Sequence, residues 1–161
     1  MSFNIPNPQN QLTNLSELKI KYNFGKESNN LSEIKNIKPI FAFDYLSFSR
    51  SKLCFNSSFI NKKKDYLKLL VSLKKISNKT FDQLSKDKVF HFHDVNFNDT
   101  KVSESDFLKS LVPDVSKVDD SGMPTVYQFK VFEEARIFGF FYKGVFYPVW
   151  FDRNHNVYKR K

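Results

Sequence analysis

One cysteine and four glycines stand in a chain of 161 residues. The single thiol, Cys54, excludes an internal disulfide and any cysteine-rich zinc site. Flanked by Leu53 and Phe55, it reads as a buried thiol. So few glycines leave no room for a glycine-rich phosphate loop, and no P-loop, G-x-S-x-G or zinc-finger pattern occurs. Long apolar runs are missing as well. No stretch approaches the length of a membrane span, and residues 1–20 have no uninterrupted apolar segment of the kind that makes a secretory signal. The expectation is a cytoplasmic protein with no membrane partner and no cofactor.

Acidic residues are the other shortage. Seventeen Asp and Glu face 26 Lys and Arg, a net charge of +9. Such a surplus points to a polyanionic partner, whether nucleic acid or an acidic protein. It also fits a lysine-rich surface that keeps a phenylalanine-rich protein dissolved. The phenylalanines are abundant: 19 of them, within a composition that is 40% hydrophobic and 17% aromatic. That is too apolar for a disordered chain. The length suits one core and is short for two.

Residues 1–38 read as an N-terminal arm, rich in Asn, Ser, Lys and Glu, partly helical or disordered. Asn14–Glu17 has the form of a capping box, and Leu31–Ile37 reads as a turn or two of helix stopped by Pro39. Residues 39–161 read as a single α+β domain. Ile40–Phe48 is a dense apolar run, taken as a first strand. Behind a start signal at Asn56–Ser58, Phe59, Tyr66, Leu70 and Leu73 recur at helical spacing, with Leu67 and Val71 beside them, so they predict the buried stripe. Lys62, Lys63, Lys64, Lys68, Lys74 and Lys75 then fall on the outer face. Thr80–Gln83 offers a second capping box and a short second helix. Val89–Asp94 alternates as a strand, with Phe90 and Phe92 opposite His91 and His93. Ser103–Leu111 reads as a short helix and 114–124 as a polar loop. Three β-rich runs close the chain, the last two joined at Lys143–Gly144. The predicted fold is a small, curved, mostly antiparallel sheet with a helical hairpin packed on one face.

Pro148 conflicts with the bulky residues on both faces of the last run, and a bulge or an edge position would reconcile them. Chemistry-bearing residues collect around these strands: Arg136, then Asp152, Arg153, His155 and Tyr158. Transesterification of RNA needs a base at the 2′-hydroxyl, an acid at the leaving oxygen and a cation for the phosphorane. Arg136 can clamp phosphate, His155 can move a proton near neutrality, Asp152 can orient it, and Tyr158 can stack on a base or donate a proton. The plainer reading makes 152–158 a turn whose tyrosine returns to the core. His91 and His93, at i and i+2, leave three readings open: a metal pair needing a third ligand, a second wall of the same cleft, or two half-exposed side chains. Glu133 and Glu134, taken as strand neighbours, point to opposite faces, and one of them can act beside Arg136. Lys159 and Arg160 add cations beside the site, and the lysine face of the helix can track a phosphate backbone.

The segment 135–158, ARIFGFFYKGVFYPVWFDRNHNVY, resembles the C-terminal strands of the RelE/ParE-like superfamily of bacterial toxins. An arginine lies there on a strand of a short meander, with histidine or tyrosine near the C-terminus. Ile40–Leu84 resembles that family's βαα start, to which this chain adds the arm and an insertion around 95–124. The resemblance implies a metal-independent, mRNA-cleaving endoribonuclease toxin, often acting on the ribosome and held by a protein antitoxin. Arg136, His155 and Tyr158 are the catalytic matches, with His93 and Asp152 assisting. Two other classes stay open. One is a non-catalytic basic protein that engages nucleic acid or an acidic protein in a mobile-element or phage setting. The other is an interface protein whose arm is exchanged between copies.

Overall fold

The computed structural model describes residues 31–48, 53–56, 63–112, 123–142 and 144–159. Most of the arm, Ser57–Ser58, Phe59, Lys62, the loop at 113–122, Lys143 and Arg160 lie outside them. Elements are α1 (Leu31–Ile34), β1 (Ile40–Phe41), α2 (Lys63–Ser77), α3 (Phe81–Lys86), β2 (His93–Asp94), α4 (Glu104–Leu111), β3 (Val126–Phe132), β4 (Ala135–Tyr142) and β5 (Val145–Asp152). The class is α+β. One five-stranded mixed sheet runs β1-β5-β4-β3-β2. Only the β1–β5 pair is parallel; the other three are antiparallel.

Strand alternation gives the sheet two apolar faces. On one, Phe129, Ile137, Phe141, Phe146 and Phe151 meet Leu69 and Ile76 of α2, Phe81 and Leu84 of α3, and Phe90 and Phe92. Rings interlock there; Phe81 stands edge-on to Phe141 at 4.5 Å, a contact class worth about 0.5–1.5 kcal/mol beyond area burial. On the other face, Val126, Phe138, Phe140, Val149 and Trp150 meet Phe107 and Leu111 of α4. Trp150 is edge-on to Phe107 at 5.0 Å, and its Nε1–H donates to Ser110 Oγ at 2.7 Å. The hairpin thus covers one face while α4 closes part of the other. Cys54 is buried, as its neighbours imply.

The capping box expected at Thr80–Gln83 forms, and α4 opens on a second box not anticipated from the sequence. Thr80 accepts from Gln83 N–H while the Gln83 side chain accepts from Thr80 N–H, and Ser103 and Asp106 form the same box at α4. Pro148 is accommodated by a bulge. Phe138 faces Trp150 and Gly139 faces Pro148, so Val149 is the extra residue in β5. Gly139 lets the strands close: a Cβ there would lie 2.1 Å from the Tyr147 carbonyl oxygen.

Four expectations change. The first strand shrinks to Ile40–Phe41, because a turn at Asp44–Tyr45 diverts the chain and exposes Phe43 and Phe48. His91 takes φ +41° and ends the regular pairing of the Val89–Asp94 run, leaving two strand residues, although Phe90 and Phe92 do turn inward. Glu133 and Glu134 form the β3–β4 turn rather than strand positions. The fourth concerns α2, which buries the wrong stripe relative to its periodicity: Leu67 is 62% and Leu70 64% exposed, and Tyr66 and Val71 are exposed too, while Asp65, Leu69, Ser72 and Ile76 are buried. Apolar residues occupy both sides of this helix, and polar contacts decide which one docks. Asp65 pairs with Arg153 at 2.9 Å, Lys68 pairs with Glu133, and Ser72 Oγ donates to the Val131 carbonyl at 2.5 Å. Among the described residues no helix is long and apolar enough to cross a membrane.

Candidate functional site

The face of the sheet that carries α4 is filled by the second core at one end only. Beyond Phe138 and Trp150, the same alternation presents Gln128 on β3, Arg136 on β4 and Asp152 on β5, where Arg136 and Asp152 are register partners. A cleft of about 1000 Å³ opens there. His91, His93, Gln128, Arg136, His155 and Tyr158 line it, with Asp99, Glu134, Asn154 and Lys159 at its margins. Four of the five sequence-predicted catalytic residues are therefore brought together, from β2, β4 and the C-terminal loop.

Asp152, the fifth, works beneath the surface. It is fully buried, and its carboxylate accepts from Val157 N–H at 2.8 Å, Asn154 N–H at 3.3 Å and Asn156 Nδ2–H at 3.3 Å. It folds the loop that carries His155; among the described residues no hydrogen bond joins Asp152 to His155. The loop holds His155 at φ +55°, a left-handed conformation that costs a non-glycine residue energy and concentrates at functional sites. Tyr158 returns alongside, its ring 5.3 Å from that of His155 and 6.3 Å from Phe138.

Arg136 is 5% exposed. Its Nη1 donates to the Glu134 carbonyl at 2.9 Å and, more weakly, toward that of Ala135 at 3.4 Å. The nearest ion-pair contact is exposed Glu134, 4.0 Å from Nη2. Burial pulls the guanidinium pKa below its usual value, opposed by Glu134, Asp152 and Tyr158; the group still stays charged. Burial pushes the Tyr158 hydroxyl up to about 12, against the pull of Arg136, so it is a protonated donor at neutral pH. Partial burial, then the charges of Arg136, Lys130 and His93, hold His91 below 6.5.

His93 is committed differently. Gln128 Nε2 lies 3.3 Å from the His91 carbonyl and 2.8 Å from His93 Nε2. The carbonyl fixes the amide nitrogen as donor, so His93 Nε2 accepts and its Nδ1 donates to the Asp94 carbonyl at 2.5 Å. His93 positions Gln128 in this arrangement. Among the described residues, no group of three His, Cys, Asp or Glu side chains gathers to hold a metal ion.

The lysines split. Lys159 reaches the cleft and donates to the Asn98 carbonyl at 2.8 Å. Lys62 and Arg160, and the side chain of Lys63, lie outside the described residues. Lys64, Lys68, Lys74 and Lys75 sit on α2, across the sheet from the cleft, and Lys68 is engaged by Glu133. One strand of phosphates cannot follow that helix and enter the cleft without turning around the sheet. Sequence reasoning missed Gln128 and Asp99. A lone amide in VYQFKVF, in phase with Arg136 across the hairpin, was a readable signal for Gln128. Asp99 had none, since a bridge between Thr100 and Tyr158 brings it there.

Residues 46–161 match the model of the family described as Uncharacterised protein UU032, and the chain belongs to that family. The match contains every residue of the cleft and leaves out α1 and β1. No curated protein and no solved structure matches the chain.

Proposed function

We propose that this protein is a toxin-like endoribonuclease that cleaves RNA without a metal ion, on a RelE-like plan. The observation that carries the reading is the convergence of Arg136, His155 and Tyr158 in one cleft with a second histidine, His91. A βαα start followed by a C-terminal meander supports the same reading, since these are the features on which the resemblance rests.

The chemistry follows from the side chains. The 2′-hydroxyl oxygen attacks phosphorus and the bond to the 5′-oxygen breaks, leaving a 2′,3′-cyclic phosphate and a 5′-hydroxyl. His91, held neutral, takes the 2′-hydroxyl proton, and His155 supplies one to the departing 5′-oxygen. Arg136 and the Tyr158 hydroxyl donate to the non-bridging oxygens, where charge builds up in the phosphorane. Water is not consumed in this step, and the low exposure of Arg136 strengthens its effect. The setting that goes with this activity is the cytoplasm, with RNA, free or ribosome-bound, as substrate and a protein antitoxin as the neutralising partner.

The test incubates the purified full chain with end-labelled RNA in chelator, with and without ribosomes, beside Arg136→Gln and His155→Ala. Cyclic phosphate ends from the wild type, and at least a hundredfold fewer from each folded variant, are expected. Retained RNA with no cleavage under either condition sinks the catalytic reading and leaves the non-catalytic binder.

A further inference from the structure

Three buried side-chain polar atoms among the described residues have no hydrogen-bond partner: Gln128 Oε1, Arg136 Nε and Tyr158 Oη. All three belong to residues of the one cleft. Buried polar groups are paired in the great majority of cases, so a cluster of exceptions calls for a ligand. Two of these atoms sit in side chains that are nearly inaccessible: Gln128 is 2% and Arg136 5% exposed.

The three atoms differ in what they ask for. Arg136 Nε and the Tyr158 hydroxyl are donors and suit an anionic oxygen. Gln128 Oε1 is an acceptor, and it cannot exchange places with its own nitrogen. A flip would face an oxygen toward the His91 carbonyl and forfeit both bonds that Nε2 makes. The complement of this cleft therefore carries both an anionic oxygen and an N–H donor. Arg136 and Gln128 are diagonal neighbours across β3 and β4, roughly 7–8 Å apart between backbones. A bare phosphate offers no N–H to Gln128 Oε1, whereas a nucleotide carries both an anionic oxygen and base N–H groups.

We infer that Gln128 reads the base of the bound nucleotide by accepting a hydrogen bond from an exocyclic amine, so that the cleft prefers adenine, cytosine or guanine to uracil. This rests on the phosphate-binding role of Arg136 proposed above. An exocyclic amine reaches out from the ring edge to a single acceptor. Uracil has no such amine, and its ring N–H lies between two carbonyls, which would crowd Oε1 with like partial charge. His93 is the positioning residue, since it holds the amide in this orientation.

The experiment uses the full chain and 2′-O-methyl RNA trinucleotides, which lack the nucleophile and report binding alone. One carries a central adenine; the other carries unsubstituted purine, which differs by the amine. The wild type is expected to bind the adenine form about tenfold more tightly. Gln128→Met, which keeps the length and removes the acceptor, is expected to bind both alike, at the affinity of the wild type for unsubstituted purine. Far-ultraviolet circular dichroism and thermal unfolding of Gln128→Met, with retained phosphate-dependent binding of both trinucleotides, separate base reading from damage to the fold. Equal wild-type affinity for the two trinucleotides, with binding lost in Arg136→Gln, overturns the base-reading role and leaves the phosphate site standing. Unchanged binding of both in Arg136→Gln overturns the phosphate site itself.

Discussion

Replacing Arg136 by methionine should abolish phosphate binding without weakening the fold. Methionine keeps the unbranched stem of the side chain and removes its charged head. The structure gives the terms. The unpartnered Nε–H costs the folded state about 1–3 kcal/mol, and desolvation of the cation adds to that. Against this stand the 2.9 Å bond to the Glu134 carbonyl, worth about 1.5–3 kcal/mol as a charged hydrogen bond, and the 4.0 Å contact with exposed Glu134, worth about 0–1 kcal/mol. The opposing terms nearly cancel, and the relieved desolvation tips the balance toward a gain near 1 kcal/mol. For a domain of this size that is a rise in Tm of about 2–4 °C. Thermal unfolding followed by circular dichroism measures it. Inorganic phosphate adds a second axis: at a hundred times its dissociation constant it stabilises the wild type by about 2.7 kcal/mol and leaves the variant where it was. A variant that loses more than ~1 kcal/mol, or a wild type indifferent to phosphate, would refute the reasoning, because Arg136 would then be a structural residue whose needs the fold already meets.

Three further outcomes follow from particular side chains. His91 should titrate below 6.5 by NMR, and its midpoint should move up in Arg136→Met, since burial remains while a cation is removed. Its unfolded form binds the proton more tightly, so its contribution to stability is present above pH 6.5 and declines as the pH falls below it; a midpoint at or above 6.5 contradicts this. On α2, Leu67→Ser and Leu70→Ser should change urea stability by no more than about 0.5 kcal/mol, whereas Leu69→Ala and Ile76→Ala should each cost about 2–5 kcal/mol. The reverse order would mean that the exposed stripe is covered. Asp152→Ala should orphan the N–H of Val157, at about 1–3 kcal/mol, and perturb the NMR signals of His155 and Tyr158; undisturbed signals would show that the loop holds itself.

The three closing strands, the Thr80–Gln83 capping box, the bulge at Pro148 and the inward turn of Phe90 and Phe92 were legible because each is set by residues near one another in sequence. α2 was not. Its periodicity placed Leu73 correctly against the core but also favoured Tyr66 and Leu70, which are exposed, because the choice of face depends on Arg153 and Val131, some sixty to ninety positions away in the numbering. The site divides the same way. Arg136, His155 and Tyr158 announced themselves by residue type at strand ends. The role of Asp152 needed the loop geometry, that of His93 needed its bond to Gln128, and Asp99 arrives by a non-local bridge. The lysine face of α2 misled because a charge pattern says nothing about which side of the sheet a helix will occupy.

Arg153 provides the internal control for Arg136. Both are arginines beside the β3–β4 turn, and both are largely withdrawn from solvent. Arg153 does what a structural arginine does: Nε donates to Asp65 at 2.9 Å, Nη2 to Glu133 at 2.7 Å, and the guanidinium lies 5.0 Å from the centre of the Phe132 ring. Its bond to Asp65 raises its pKa. Arg136, on the other face, is more deeply buried, has an orphaned donor, meets a carboxylate only at 4.0 Å and has its pKa lowered by burial. Carboxylates for pairing were within reach of the fold, since Asp152 faces Arg136 across the strand pair, yet that carboxylate is spent on the loop that bears His155. A cation left short of partners, two histidines held at positive φ and a tyrosine with an idle hydroxyl converge on one opening. Each arrangement costs the folded state something, and the phosphodiester proposed as ligand would relieve the electrostatic part of that cost. Surface lysines do not account for this concentration of unmet polar groups, which is what the proposed anionic ligand would answer.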